Sequence, residues 1–336
     1  MKYLSLFTGI GGFDLPLREL NFECAAWSEI DKYAIKTFEA NFPELKGLNL
    51  GDITKVNPDT INDFDLLVFG SPCQSFSISS NNRNGLDGVS GLFGEGIKVL
   101  RSKQPSWFIW ENVKGVLSCR KDWSIITDSF DKAGYNFHYQ VLNSADYGIP
   151  QQRKRVFVVG QRKDLGIFNF TFPLKQELKV FLKDIIVDGY TDRDVSYTID
   201  ANYHKCSESN PRAYFEDNKR QIVFNYPVRV GYFNNGGQGE RVYSLNGTSV
   251  CLSANGGGMG AKTGLYEIEG GIRKLYTIEC FRLQDFPDEF HNKAKEAGVS
   301  NTQLYRQAGN SVTVNVIRCI LNSLFNGSNK TQLNLF

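Results

Sequence analysis

Three reactive side chains stand next to apolar runs of the sequence. Cys73 follows the run 65–69 after a Gly-Ser-Pro turn, Glu111 follows the run 107–110, and Arg155 precedes the run 156–160. Short apolar runs bounded by glycine or proline are typical of buried strands, so each side chain is predicted at a strand end. A thiol and a carboxyl group at consecutive strand ends can serve as nucleophile and acid around one flat substrate. Taken alone, Cys73 is as compatible with a buried structural cysteine as with a nucleophile.

A glycine-rich turn near the N-terminus predicts a cofactor site. The run 3–7 leads into Thr8-Gly9-Ile10-Gly11-Gly12 and then into a predicted helix over 14–20. This order lets a ligand approach backbone amides at a helix N-terminus. Glu29 ends the second predicted strand about twenty residues after the first glycine, where a carboxylate often binds ribose hydroxyls. The pattern favours an adenosine-containing cofactor and leaves S-adenosylmethionine and NAD open, although Glu29 is also compatible with a helix-stabilising surface carboxylate.

The order of predicted elements indicates an α/β fold that would bring these residues to one edge of a sheet. Open sheets of this class carry their chemistry at the carboxyl ends of the strands. Residues 51–53 are predicted to end a further short strand and to present Asp52 to an adenine amino group. The remaining strands are predicted over 3–7, 24–28, 65–69, 107–110, 137–142 and 156–160, and the helices over 14–20, 31–42, 92–102 and 123–132.

The regular alternation of strands and helices ends near residue 183. Residues 184–302 are rich in Asn, Gly, Tyr and Ser. Their glycine loops allow close approach to a ligand, and Gln238 and Arg241 are candidate readers of nucleic acid. Hairpin turns of a small β domain explain the same glycines, and both interpretations can hold together. Residues 303–336 include an apolar helix, so we expect this segment to return to the first unit, residues 1–183.

Composition argues against several classes of protein. Hydrophobic residues make up 41% and charged residues 22% of the 336 residues, which is typical of an ordered globular chain. Seven cysteines occur without a Cys-x-x-Cys pair and without a signal peptide before them, so we expect reduced thiols and a cytoplasmic protein. Three scattered histidines argue against a metal site, and no apolar run reaches the roughly twenty residues of a membrane span. The net charge of +2 leaves a nucleic-acid partner open, because a local basic face is sufficient.

Five motifs resemble those of one enzyme family in content and order. They are Phe7-Thr8-Gly9-Ile10-Gly11-Gly12, Pro72-Cys73-Gln74, Glu111-Asn112-Val113, Gln151-Gln152-Arg153-Lys154-Arg155 and Gly309-Asn310-Ser311-Val312. The series resembles the DNA cytosine-5 methyltransferases of bacterial restriction-modification systems, and segments 236–241 and 256–258 are similar to those of the HhaI type. The resemblance implies an α/β, Rossmann-like sheet that binds S-adenosylmethionine, with a smaller, mostly β target recognition domain over 184–302. It also implies duplex DNA as partner, a cognate restriction endonuclease acting separately, and a monomer.

The resemblance implies a role for each catalytic candidate. Cys73 would add to carbon 6 of a cytosine that has left the duplex, because carbon 5 is by itself a poor nucleophile. Glu111 would protonate or hydrogen-bond ring nitrogen 3, and Arg155 would bind the ring carbonyl oxygen, where charge accumulates. Arg153 and Arg155 would lower the thiol pKa, which is about 8.5 in a free cysteine.

Two sets of contacts follow from the resemblance, residue by residue. Cofactor contacts are predicted for Phe7, Gly9, Gly11, Gly12, Glu29, Ile30, Asp52, Ile53, Pro72, Leu92, Asn310 and Ser311. DNA contacts are predicted for Ser79, Gln238, Arg241, Asn255, Gly256 and Gly258. Gln238 would fill the space of the flipped base, and Ser79 would close over the DNA from the other side. Ile30 replaces a family tryptophan and Asn255 a family tyrosine, and the target is expected to be GC-rich, such as GCGC, with Arg241 reading guanine.

Three other functions are compatible with parts of the sequence. A tRNA cytosine methyltransferase would share Cys73 and Glu111 and differ in its recognition region. A non-catalytic DNA-binding regulator on the same scaffold would be expected to lose one of these residues, and both are present. An NAD-dependent dehydrogenase explains the first glycine turn and Glu29 but gives no role to Cys73, Glu111 and Arg155 together.

Overall fold

A central six-stranded sheet organises the described part of the chain. The computed structural model describes residues 1–72, 89–187, 190–191, 194–199, 201, 222–224, 229–232, 241–247, 265–269 and 273–325. The sheet consists of β1 (Lys2–Leu6), β2 (Glu23–Ser28), β3 (Leu66–Phe69), β4 (Trp107–Val113), β5 (Tyr135–Asn143) and β7 (Lys154–Arg162). Their order across the sheet is β2-β1-β3-β4-β7-β5. The α/β prediction is therefore confirmed.

Strand directions bring the predicted catalytic segments to one edge of this sheet. β1 pairs in parallel with β2 and β3, and β3 pairs in parallel with β4. β7 runs antiparallel to both β4 and β5. The carboxyl ends of β1 to β4 therefore lie at the same edge as the amino end of β7. We call this the carboxyl edge.

Alternate residues of the strands divide the core into two layers, as the pleat of a strand requires. The helices that contribute are α1 (Asp14–Glu19), α2 (Lys32–Asn41), α3 (Phe93–Lys103) and α4 (Arg120–Lys132). Val68 of β3 packs in one apolar cluster with Phe38 of α2. The next residue, Phe69, packs in the other cluster with Phe93 of α3 and Phe130 of α4. Helices thus cover both faces of the sheet and hold its edge in place.

The C-terminal helices pack in the layer of α1 and α2. They are α6 (Thr277–Arg282), α7 (Asp288–Glu296), α8 (Asn301–Asn310) and α9 (Val314–Phe325). Arg318 of α9 pairs with Glu19 of α1 at 2.8 Å. Leu275 and Phe290 belong to the same apolar cluster as Val68, so this packing begins upstream of residue 303. Residues from Leu275 onward thus pack in this layer, and the division into units at residues 183 and 303 stays a prediction.

Short elements make up the described parts of residues 182–274. They are α5 (Leu182–Ile185), β8 (Tyr190–Thr191), β9 (Ser196–Tyr197), β10 (Ile222–Phe224), β11 (Arg229–Tyr232), β12 (Arg241–Gly247), β13 (Leu265–Glu269) and β14 (Arg273–Lys274). Two three-stranded sheets form in the orders β14-β10-β8 and β11-β12-β13. β9 instead pairs in parallel with β6 (Gln151–Gln152), which precedes β7.

One local prediction is confirmed and another is wrong. β4 ends in Glu111, Asn112 and Val113 as predicted, and Glu111 pairs with Phe157 of β7. Residues 51–53 do not end a strand. Asp52 instead caps the 3-10 helix Ile53–Lys55, its side chain accepting a hydrogen bond from the Thr54 amide at 3.1 Å. An aspartate that can bond its own following amides favours such a cap over a strand.

Candidate active site

The chain that leads into Cys73 is anchored to the neighbouring strand. Trp110 Nε1 in β4 donates a hydrogen bond to Ser71 Oγ at 3.0 Å, just beyond the end of β3. Gly70 lies so close to β4 that a Cβ at this position would be 3.3 Å from Glu111 Oε2. Cys73 itself lies outside the described residues, two positions after Ser71. The anchored residues before it are therefore held beside Glu111.

Glu111 and Arg155 form a largely buried ion pair at the carboxyl edge. Arg155 Nε lies 3.1 Å from Glu111 Oε1 across strands β7 and β4. Only 8% of Glu111 is exposed. Burial raises the pKa of its carboxyl group, and the charges of Arg155 and then Arg153 oppose that rise. The pair can therefore offer a proton or hydrogen bond to a ring nitrogen and guanidinium donors to a neighbouring carbonyl oxygen.

Arg153 joins three separate segments through backbone carbonyls. Its Nη1 donates to Ile199 O at 3.1 Å, and its Nη2 donates to Gly309 O at 3.0 Å and Ser311 O at 2.5 Å. The side chain is buried, and the residue directly precedes β7. Arg153 thus ties the segment after β9 and the end of α8 to the carboxyl edge, and its predicted catalytic role stays a prediction.

The three glycines of the N-terminal turn have different surroundings. Gly9 has a positive φ of 58°, and a Cβ added there would have nothing within 4 Å. A Cβ on Gly11 would lie 2.8 Å from the Phe42 ring, and one on Gly12 would lie 2.7 Å from Ser311 Oγ. Gly9 therefore faces space that a ligand can approach, whereas Gly11 and Gly12 let the turn pack closely against its neighbours.

Glu29 is fixed by three backbone amides at the end of β2. Its Oε2 accepts from Gly9 N, and its Oε1 accepts from Ile30 N and Asp31 N, each at 2.8 Å. A carboxylate has about four acceptor positions, so about one remains for a hydroxyl group. Ile30 is 71% exposed beside this carboxylate. Phe7 adopts a positive φ of 53°, an uncommon conformation for a large side chain that often marks a ligand site.

A side-chain amide holds the Asp52 segment against the end of β2. Asn49 Oδ1 accepts from Glu29 N at 3.2 Å and from Gly51 N at 2.9 Å. Asp52, the next residue, is partly exposed, while Ile53 is buried. Asp52 and Ile53, both predicted cofactor contacts, are therefore close in the chain to Asn49, whose side chain binds the Glu29 amide.

The buried polar residues that hydrogen-bond the Cys73 segment and the glycine turn were not predicted from the sequence. Asn112 Nδ2 donates to Ser71 O at 3.2 Å. Under the glycine turn, Thr8 Oγ1 donates to Ser5 Oγ and Ser5 Oγ donates to Asp14 Oδ2, both at 3.1 Å. Burial raises the pKa of Asp14 to about 7. A polar residue inside an apolar run could have predicted these contacts, because its neighbours bury it and it then needs a hydrogen-bond partner.

The remaining predicted contacts are only partly described. Pro72 directly follows Ser71, Leu92 directly precedes α3, and the exposed Asn310 ends α8. Arg241 begins β12. The other predicted DNA contacts lie outside the described residues, namely Ser79, Gln238, Asn255, Gly256 and Gly258.

Gly12→Ala is expected to destabilise the protein and weaken cofactor binding. The added Cβ would lie 2.7 Å from both Ser311 Oγ and Val312 Cγ2. Overpacking of this kind costs about 1 to 3 kcal/mol, so the thermal unfolding midpoint should fall, and the displaced Ser311 should disturb the cofactor segment. Gly94→Ala in α3 is the matched control, because nothing lies within 4 Å of its added Cβ. Equal unfolding midpoints for the two variants would contradict the close packing.

The comparison with known families decides the assignment. The sequence profile of the family described as C-5 cytosine-specific DNA methylase matches residues 1–326. The chain belongs to this family. It is therefore a DNA (cytosine-5)-methyltransferase with S-adenosylmethionine as its cofactor, and the resemblance inferred from the motifs is confirmed.

Individual relatives agree with the family. The type II methyltransferase M.HhaI of Haemophilus parahaemolyticus is 38% identical, over 95% of this chain and 93% of that protein. The type II methyltransferase M.Bsp6I of Bacillus sp. (strain RFL6) is 34% identical, over 97% of this chain and 98% of that protein. Among solved structures, the S. pombe Dnmt2 methyltransferase has a TM-score of 0.63 at 16% identity, covering 98% of this chain and 100% of that one. At that identity the structural likeness bears on the fold alone, and it confirms the methyltransferase-type α/β sheet.

Family membership also decides between the alternatives left open by the sequence. A cytosine-specific DNA methylase uses S-adenosylmethionine rather than NAD, acts on DNA rather than tRNA, and is an enzyme rather than a regulator. The described residues fit the cofactor. Gly9 faces open space, Glu29 has an acceptor position left for a ribose hydroxyl, and Ile30 is an exposed apolar surface for a purine. Within the described ranges, no helix is long and apolar enough to cross a membrane and no cluster of metal-ligating side chains occurs.

Proposed function

We propose that this methyltransferase modifies a flipped-out cytosine in a short, specific duplex site through a covalent adduct of Cys73. The observation that carries the proposal is the buried Glu111–Arg155 pair beside the anchored residues that lead into Cys73. The thiol can react with carbon 6 of cytosine. The carboxyl group, with its raised pKa, can donate to ring nitrogen 3, and the guanidinium can donate to the carbonyl oxygen.

The reaction follows from the electron demand of the ring. The Cys73 thiolate forms a bond to carbon 6, the displaced electrons move toward nitrogen 3, and Glu111 supplies a proton or hydrogen bond there. Arg155 donates to the carbonyl oxygen, where negative charge also develops. When bound, S-adenosylmethionine supplies the electrophilic methyl group. The activated carbon 5 takes this methyl group, then loses its proton to a base, and Cys73 leaves as thiolate while Glu111 recovers its proton.

Arg153 is proposed to act by positioning and by charge. Its three carbonyl contacts hold Gly309 and Ser311 next to the start of β7, so the predicted cofactor contacts Asn310 and Ser311 stay in register with Arg155. Its positive charge would also favour the thiolate form of Cys73, as the resemblance implies. We assign Arg153 to the active site on these two grounds.

Target recognition is proposed for residues 184–302, between a catalytic unit over 1–183 and a returning segment over 303–336. Segments 236–241 and 256–258 support a GC-rich site such as GCGC through their resemblance to the HhaI type, whereas Asn255 departs from that type, which has a tyrosine there. Gln238 would fill the vacated space of the flipped base, Ser79 would close from the opposite side, and Arg241 would read guanine.

Bisulfite sequencing of DNA from cells that express this chain tests the proposal. Cytosines methylated at carbon 5 resist conversion, so the method reports the modified base and its surrounding sequence together. We expect protection of one cytosine within a single short GC-rich motif. Protection without any shared motif would contradict sequence-specific methylation.

Gln238→Ala is expected to weaken duplex binding or base flipping and to leave cofactor affinity unchanged. An emptied base position costs a few kcal/mol unless a side chain replaces the lost stacking. Fluorescence of 2-aminopurine at the target position measures flipping, and calorimetric titration with S-adenosylhomocysteine measures the cofactor site. Unchanged fluorescence and unchanged DNA affinity would remove Gln238 from the proposed role.

A further inference from the structure

Positive charge is concentrated at the carboxyl edge beyond the groups assigned to catalysis. Segments 111–123 and 151–155 contain six lysines and arginines but two carboxylates, Glu111 and Asp122, although the net charge of the whole chain is only +2. Local charge rather than net charge attracts a polyanion. Four of the six cations have no part in the proposed chemistry. They form what we call the basic edge: Lys114, Arg120, Lys121 and Lys154.

Two lysines of the basic edge lie at the ends of adjacent strands. The register pairs Val113, the last residue of β4, with Arg155. Lys114 follows Val113 directly and Lys154 precedes Arg155 directly, so the two lysines occupy neighbouring positions, and both are exposed. Like charges on neighbouring strands are unfavourable by themselves, and a bound anion between them would relieve the repulsion.

The two other cations begin a long helix at this same edge. The Trp123 ring of α4 lies 6.5 Å from Trp110, and Phe130 stacks on Phe108 at 4.4 Å. Because Trp110 is nearer than Phe108 to the carboxyl end of β4, α4 starts at the carboxyl edge and runs away from it. Its first two residues are therefore cations at a helix N-terminus, which favours negative charge.

Cations at the opposite edge are arranged differently. Lys2, Lys103 and Lys163 each lie within 3.1 Å of a carboxylate oxygen. In the described part of the chain, no carboxylate lies within ion-pair distance of any of the four basic-edge cations. These three lysines therefore have carboxylate partners, whereas the four basic-edge cations, next to Glu111, have none among the described residues.

We infer that the basic edge binds the sugar-phosphate backbone of the duplex beside the target cytosine. The inference rests on the proposed function, because the DNA must present a base to Glu111. Exposed lysine and arginine side chains bind phosphate oxygens without reading sequence. The basic edge therefore adds affinity and registers the duplex, and it contributes nothing to the choice of target.

Two double variants test the inference, R120Q/K121Q and K114Q/K154Q. The measurement is duplex affinity by fluorescence anisotropy across a salt series, with a GCGC-containing duplex and a scrambled duplex of the same length. Loss of two phosphate contacts should reduce the slope of log affinity against log salt by about 1.8. The reduction should be equal for both duplexes, and affinity for S-adenosylhomocysteine should not change.

The matched control is R101Q/K132Q, which removes the same charge from exposed residues near the far ends of α3 and α4. Its slope should equal that of the wild type. If both double variants have the same salt slope as this control, the inference is wrong. It is also wrong if they lose affinity only for the GCGC duplex, because that result would indicate base reading. Methylation of duplex DNA by the wild-type protein from the same preparation is measured separately. It tests the proposed function independently of the salt slopes.

Discussion

Cys73→Ala abolishes methyl transfer while retaining duplex binding, if Cys73 is the nucleophile. Without a thiolate at carbon 6 no step makes carbon 5 reactive, so the rate should fall by at least roughly 10⁴-fold. Transfer of labelled methyl from S-adenosylmethionine to duplex DNA measures the rate, and anisotropy measures binding. Normal turnover by the variant would refute the covalent mechanism.

A cysteine elsewhere at the carboxyl edge supplies the control. Cys119 is exposed and directly precedes α4, so Cys119→Ala removes a thiol without touching the Glu111–Arg155 pair. It should methylate DNA at the wild-type rate. A duplex with 5-fluorocytosine at the target separates the two thiols further, because carbon 5 then has no proton to lose and the adduct persists. Protein with Cys73 should be trapped on this DNA, and Cys73→Ala should not.

The framework of the fold could be read from the sequence because burial and chain pattern agree there. β3 is buried throughout and β4 is buried except at Trp107 and Val113, and their partners in α3 and α4 follow the expected alternation. The same agreement explains why Ser71 and Glu111 are found together. Two buried strands in parallel place their carboxyl ends side by side whatever else the chain contains.

What could not be read depends on contacts between distant parts of the chain. The sequence placed Glu111 at the end of β4, but it did not show the strand opposite Glu111, because β7 returns from more than forty residues later to pair with β4. Likewise, the carbonyl partners of Arg153 come from Ile199 and Gly309, which no local pattern around Arg153 indicates. The prediction of a strand over residues 51–53 was wrong for a local reason, because the Asp52 side chain caps a 3-10 helix instead.

Glu111→Gln should reduce turnover strongly while leaving the site intact. Glutamine keeps the size of the side chain and can still pack beside Gly70, but it cannot transfer a proton to ring nitrogen 3. Loss of a general acid typically costs about 10²- to 10⁴-fold in rate. Glu289→Gln, at an exposed surface pair with Lys293, is the control and should be neutral. Single-turnover methylation by both variants measures the difference.

The pH dependence gives this prediction its sharpest form. Burial raises the pKa of Glu111, so its proton is retained above the usual glutamate range and lost as pH rises through the raised value. In that interval the folded state binds more protons than the unfolded state, and the free energy of unfolding therefore falls with rising pH. Glu111→Gln removes this titration, so both its stability and its single-turnover rate should lose that dependence. If Glu111→Gln keeps the pH profile of the wild type, another group carries the proton. If Glu111→Gln turns over at the wild-type rate at neutral pH, Glu111 is not the acid.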